Sequence, residues 1–181
     1  MRVVGGKAKG RQLKVVPGDT TRPILDRVKT ALFDIIRFEI QDAIVLDVFA
    51  GTGAVGIEAL SQGAKHCTFL DLAKAATKVI KSNVETCELE DQAEIRNTDS
   101  FKYIRNTSKS FDLIYVAPPQ YKTIWVDMMR LLAERPELLN SDGSIIVQID
   151  PKEYEELQLE TMEEIKQKKY GNTTLVFYKL N

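Results

Sequence analysis

Residues 46–60 read "LDVFAGTGAVGIEAL", in which Gly51, Gly53 and Gly56 form a G-x-G-x-x-G pattern between an apolar run and a helical pattern. Glycines at such a junction permit a tight turn and let backbone amides approach a ligand closely. The apolar run, residues 43–49, reads as a strand, and residues 54–62 read as a helix stopped by Gly63. Outward from there the alternation continues. Strands read at 67–71, 93–97, 111–116 and 143–149, with helical patterns near 73–87, 99–106 and 122–133. Regular alternation of this kind implies a parallel sheet with helices on both faces. The end differs, because "EEIKQKKYGNTTLVFYKL" (163–180) reads as two strands joined at Gly171-Asn172, a two-residue hairpin signal. The fold class is therefore α/β and Rossmann-like, finishing in an antiparallel hairpin.

Upstream, "RVVGGKAKGRQLKVV" (2–16) reads as two short strands around glycine turns, a hairpin-like arm with five cations and no acid. The next stretch, "TTRPILDRVKTALFDIIRFEI" (20–40), reads as a helix with Pro23 near its first turn and Val28, Leu32, Ile35 and Ile36 at helical spacing. The expected division is a basic arm over 1–20 and a main domain over 21–181 that includes this helix.

Net charge is −1, which hides an asymmetry. Residues 1–37 carry nine Lys/Arg against three Asp, a net of +6, and the remainder is −7. A basic end on an acidic body suits a polyanionic partner engaged from one side, although charge runs are often only solvated surface. At 181 residues, with 44% hydrophobic and 28% charged residues, the chain suits one globular domain. No apolar run approaches the ~20 residues of a membrane helix, and the first residues lack the apolar core of a signal peptide. Cys67 and Cys87 show no metal-ligand spacing and His66 is alone, so the expectation is a cytoplasmic protein without metal chemistry.

Acids after three strands sharpen the reading of the glycine loop. Asp71 ends the second strand, 20 residues beyond Gly51, where a carboxylate accepts hydrogen bonds from a ribose diol. That fits a dinucleotide and a nucleoside equally. Asp47 separates them: four residues before Gly51, it would oppose a pyrophosphate on the helix N-terminus and suits a cationic ligand. S-adenosylmethionine, with its ammonium and sulfonium, is such a ligand. Asp99, after the third strand, is positioned to accept from an adenine amino group, though alone it would read as a helix cap.

The fourth strand ends in "YVAPPQYK" (115–122). Tandem prolines cannot continue a sheet ladder, because they have no N–H to donate. They do fix a backbone carbonyl and hold a nearby aromatic, here Tyr121, against a flat substrate.

Taken together, "DVFAGTGAVGIEALSQGA", "FLD", "APPQY", the terminal "KYGNTTLVFY", the opening "MRVVGGKAKGRQLKVV" and "TRPILDRVKTALF" resemble the RsmD-type 16S rRNA guanine-N2 methyltransferases over nearly the whole chain. The resemblance implies a class I S-adenosylmethionine-dependent fold, a seven-stranded sheet with the last strand antiparallel. It implies methylation of the exocyclic amino group of a guanine in small-subunit rRNA, flipped out of its stack. By motif, Asp47, Phe49, Gly51 and Gly53 would hold the methionine part of the cofactor, Asp71 and Leu72 the ribose, and Asp99 with Ser100 the adenine. The turn Ala117, Pro118, Pro119, Gln120 and Tyr121 would hold the base. Arg2, Lys7, Lys9, Arg11 and Lys14 on the arm, with Arg22, Asp26 and Arg27, would meet RNA. The implied partner is 16S rRNA or the small subunit, and a monomer is expected because no exposed apolar stripe is evident in the sequence.

Four positions depart from the family pattern. Ile24 stands where a Thr is usual, and Thr30 where an acid is usual. Ala117 stands where an Asp begins the Asp-Pro-Pro motif, with Tyr121 one residue late. An acceptor beside the amino group is worth ~100-fold in rate, so Gln120 is the nearest compensating group. The alternative is a weak or inactive RNA-binding, ribosome-maturation module. A nicotinamide-dependent oxidoreductase rests on the glycines alone, and an adenine or protein-amide methyltransferase is a further reading of the Pro-Pro turn.

Overall fold

The computed structural model describes residues 1–18 and 23–181. Among the described residues five α-helices and seven strands follow in order: α1 (Asp26–Ile36), β1 (Ile44–Asp47), α2 (Ala54–Ser61), β2 (His66–Asp71), α3 (Lys74–Thr86), β3 (Ala93–Asn97), α4 (Ser100–Asn106), β4 (Phe111–Val116), α5 (Ile124–Glu134), β5 (Leu139–Ile149), β6 (Met162–Tyr170) and β7 (Thr173–Leu180). They make one sheet in the order β3-β2-β1-β4-β5-β7-β6. Strands β1 to β5 pair in parallel, and β7 pairs antiparallel with both β5 and β6. The seven-stranded sheet with its antiparallel last strand is as the sequence implies.

Period-2 alternation sorts the strands between two cores. Val45, Phe69, Leu113, Ile146 and Phe177 join Val28, Leu32, Ile57 and Ile80 on one face. Leu46, Leu70, Ile114, Val147 and Val176 meet Ile104, Trp125, Met128 and Leu132 on the other. Helices α1, α2 and α3 thus cover one face, and α4 and α5 the other.

Some boundaries differ from the expected ones. Helix α1 begins at Asp26 after an extended Leu25, three residues past Pro23, and the Asp26 carboxylate suits the positive end of the helix. Strand β5 begins at Leu139 rather than 143, with its register against β4 shifting between Phe111 and Leu113. Such an irregularity is invisible to a pattern that counts by twos.

The arm pairs by one bridge, Arg2 to Gln12, and lies against the domain, with Val3, Ala8 and Leu13 buried in the first core. Its backbone is stitched to buried side chains. Val4 and Gly5 donate to Glu58 at 3.0 and 2.8 Å, Ala8 to Ser61 Oγ at 2.9 Å, and Lys14 to Asn83 Oδ1 at 2.8 Å. Gly6 has φ +75°, and a Cβ there would lie 1.8 Å from the Ser61 carbonyl oxygen, so only glycine allows this approach.

Candidate active site

The sheet order reverses between β1 and β4: the chain proceeds outward to β3 on one side, then returns to lay β4 and β5 on the other. Open α/β sheets bind ligands at this switch point, outside the carboxyl ends of the strands. A cleft of about 670 Å³ lies there. The segment after each parallel strand contributes to it: Asp47, Phe49 and Gly51 after β1, Asp71 and Leu72 after β2, Asp99 and Ser100 after β3, Ala117 to Gln120 after β4. Tyr115, Gln148 and Ile24 also line it.

The three acids sit in different environments. Asp47 is 2% exposed. Its Oδ2 accepts from the Gly56 amide at 3.3 Å, whereas its Oδ1 has no hydrogen-bond partner among the described residues. Burial pushes the carboxyl up to about 7, the Gly56 amide opposing and the charge of Asp71 adding to the rise. Asp71 is braced instead, its Oδ2 accepting from Gly51 N at 2.9 Å and its Oδ1 from Ala73 N at 2.8 Å. Asp99 caps α4, accepting from Lys102 N at 2.8 Å while lining the cleft. Ser100 donates its hydroxyl to the Val48 carbonyl and so ties α4 to the end of β1.

The glycine loop takes the left-handed turn that its sequence allows. Gly51 and Gly53 have φ +55° and +78°, and Gly53 is the N-cap of α2. A Cβ on Gly51 would touch nothing within 4 Å, so this edge of the loop borders open space. An orphaned buried carboxylate oxygen and an open glycine edge in one cleft fit a ligand bearing a cationic group.

At the end of β4, Ala117 contributes no polar side chain, and the Gln120 amide makes no hydrogen bond among the described residues. Tyr121 lies outside the cleft lining. It is exposed, has φ +60°, donates its hydroxyl to Asp150 Oδ2 at 2.8 Å and its amide to Glu153 Oε1 at 2.6 Å. Gly53 likewise caps α2 without lining the cleft.

The expected RNA contacts are spread over a wider surface. Arg2 pairs with Asp26 at 3.7 Å, Lys7 Nζ donates to Gln92 at 2.5 Å, Arg11 pairs with Glu88 at 2.8 Å, and Lys14 Nζ donates to Ser82 at 2.9 Å. Lys9 and Arg27 are exposed with no such partner among the described residues. Arg22 lies outside the described residues.

Sequence reasoning missed several groups that shape the site. Lys29 and Glu58 are fully buried and paired at 3.0 Å, joining α1 to α2 under the arm. Asn83 donates to the carbonyls of Thr52 and Lys14, at 2.9 and 3.0 Å, and so couples the glycine loop to the arm. Tyr115 donates its hydroxyl to Gln148 Oε1 beside Ala117. The one available signal was Glu58 itself, an acid inside a helix whose every other residue is apolar or small. Cys67 and Cys87 are free and buried. No described helix is long and apolar enough to cross a membrane.

The family model for conserved hypothetical protein 95 matches residues 1–179. YlbH of Bacillus subtilis (strain 168) is 36% identical over 186 residues, covering 99% of this chain and 98% of that protein. The ribosomal RNA small subunit methyltransferase D of Haemophilus influenzae is 35% identical over 137 residues, 74% of this chain and 71% of that one. Among solved structures, that of yhhF from Escherichia coli superposes with a TM-score of 0.87 at 28% identity, covering 100% of this chain and 98% of that chain.

Proposed function

The chain belongs to the conserved hypothetical protein 95 family, that of the small-subunit rRNA methyltransferase D proteins, and from this premise we propose that it methylates rRNA with S-adenosylmethionine. The finer reading is that the acceptor is the exocyclic N2 amino group of a guanine in 16S rRNA, presented as a flipped-out base. The observation that supports the cofactor reading is Asp47, whose buried Oδ1 has no hydrogen-bond partner among the described residues and suits a cation. Bound there, S-adenosylmethionine supplies a methyl group made electrophilic by its sulfonium.

In this reading Asp47 takes the ammonium, beside Phe49 and Gly51, with Gly53 shaping the loop behind them as the N-cap of α2. Asp71, braced by two amides, takes the ribose next to Leu72, and Asp99 with Ser100 borders the adenine. Guanine's amino nitrogen is a poor nucleophile because its lone pair is delocalised into the ring. Hydrogen-bond acceptors beside its protons localise that density and fix its aim. Pro118 offers its carbonyl and Gln120 its uncommitted amide oxygen, while Ala117 offers nothing; Tyr121 flanks the turn. Cations on the arm (residues 1–20), with Arg22, Asp26 and Arg27 from the domain that follows (21–181), hold RNA. The protein acts in the cytoplasm as a monomer, with no metal.

Ala117 also supports a second reading, a slow or inactive RNA-binding module of ribosome maturation. One assay separates the two. Labelled S-adenosylmethionine is offered with small-subunit RNA or particles, and calorimetry establishes that the cofactor binds. Transfer to a guanine N2 is the expected result; cofactor binding without any transfer to RNA defeats the first reading. Ala117→Asp is expected to raise the rate by up to ~100-fold where the missing acceptor limits it.

A further inference from the structure

Strand β6 is polarised along its length: Glu163 and Glu164 stand at its start, and Lys166, Lys168 and Lys169 lead into the turn at Gly171-Asn172. It is the outer edge of the sheet. Lys166 lies over the Phe177 ring, 4.8 Å from its centroid. The side chains of Lys168 and Lys169 are exposed and make no ion pair or hydrogen bond among the described residues. The contrast with the arm is direct, because four of the arm's five cations already grip the protein's own side chains.

Beside this turn lies a second hollow of about 290 Å³, lined by Arg27 at the start of α1, by Tyr170 and Asn172 of the turn, and by Gln120 and Gln148. Among the described residues no carboxylate lines it. Gln120 and Gln148, with Pro23 and Thr173, also line the main cleft, so the two spaces share a wall. Tyr170 packs against the core that holds Leu175 and Phe177, and Lys168 pairs with Leu175 in the sheet. Alternation puts Lys168 on the same face as Tyr170 and Lys169 on the opposite one. A cationic rim, an aromatic wall and side-chain amides are what a single-stranded nucleotide requires.

We propose that this hollow binds the nucleotide adjoining the target in the RNA strand, its phosphates on Arg27 and Lys168 and its base on Tyr170. The inference rests on reading the main cleft as an RNA methylation site. It departs from that reading in giving the C-terminal hairpin, rather than the arm alone, the task of threading the strand.

The test is fluorescence anisotropy of a labelled single-stranded small-subunit RNA segment over a range of salt, with methyl transfer and cofactor calorimetry on the same proteins. R27Q/K168Q is expected to bind about tenfold more weakly and to lower the salt slope by about 1.4, at about 0.7 per phosphate contact on a single strand. K169Q is expected to bind as wild type does. Y170F is expected to retain affinity and Y170L to lose about tenfold, since leucine keeps the packing but not the stacking. Cofactor affinity stays unchanged throughout. Equal losses in K168Q and K169Q would mean diffuse charge and overturn the proposal. So would hairpin variants that aggregate yet bind RNA normally, the lysines then serving only to guard a sheet edge. Methyl transfer and RNA binding that survive R27Q/K168Q and Y170L undiminished defeat this inference and leave the methyltransferase reading standing. A wild-type protein that neither binds RNA nor methylates it defeats both.

Discussion

Two buried carboxylates flank the glycine loop, and they are opposites. Glu58, on α2, is fully satisfied: it receives Lys29 at 3.0 Å, the amides of Val4 and Gly5, and Gln62 Nε2 at 2.7 Å. Asp47, at the end of β1, receives one long amide bond and keeps an oxygen with no hydrogen-bond partner among the described residues. A buried charge needs compensation. Around Glu58 the protein provides all of it from its own chain, and the result is a fastening for the arm. Around Asp47 it provides half, and the half-compensated carboxylate lines the cleft. The difference teaches where to look for a ligand: not at buried charge as such, but at buried charge left incomplete.

The comparison is most severely tested at Glu58. Glu58→Ala leaves the Lys29 ammonium buried alone and strips two arm amides of their acceptor. A loss of about 3–5 kcal/mol is expected in denaturant unfolding, with the arm becoming susceptible to protease. The double variant Lys29→Met/Glu58→Gln, which removes both charges and keeps an acceptor for Val4 and Gly5, is expected to recover much of that loss. If it is no better than Glu58→Ala, the pair is not what makes this region costly.

Asn83→Ala comes next, at about 1–3 kcal/mol, because Lys14 N, Lys14 O and Thr52 O all lose their partner. Cofactor affinity should weaken with it, since Thr52 belongs to the glycine loop; unfolding and calorimetry on one preparation report both.

The Asp47 side gives smaller effects that depend on pH. A cation binds the ionised carboxylate, and Asp47 without ligand is held up at about 7. Affinity for S-adenosylmethionine is therefore expected to fall as pH drops below about 7, by at most tenfold per unit, with proton release on binding. Asp47→Asn removes both the pH dependence and most of the affinity. A flat affinity profile in wild type would break the contrast with Glu58.

Stability without ligand follows the opposite direction. A carboxyl raised on folding stabilises the folded state below its unfolded value, and that contribution is lost as pH rises from about 4 to about 7. The Asp47→Asn protein should thus be the more stable one near pH 8, and the advantage should shrink toward pH 4, by thermal unfolding.

Much of the fold was legible because its signals are local. Alternating apolar residues marked β1 to β5, the spacing of Val28, Leu32 and Ile36 marked α1, and Gly171-Asn172 marked the closing hairpin. The cleft residues after each strand were legible for the same reason: the switch point follows from strand order. Tyr121 was harder. Its distance from the Pro-Pro pair said nothing of Asp150, 29 residues on, which takes its hydroxyl. The arm's own contacts were hidden in another way, since Arg2, Lys7, Arg11 and Lys14 are engaged by residues at least 24 positions away, which a count of charges along the chain does not show.

By itself, then, the sequence determined the layered sheet, the glycine turn, the acids that follow the strands and the polarity of the hairpin, because each depends on periodicity or on residues within one turn of chain. Only the tertiary structure decided which charges are spent and which remain. Glu58 meets Val4 across 54 residues and Tyr115 meets Gln148 across 33, while Asp47 Oδ1 has no hydrogen-bond partner among the described residues. Whether a polar group is satisfied is a property of the packed neighbourhood, and that neighbourhood is assembled from distant segments by burial, which no local pattern records.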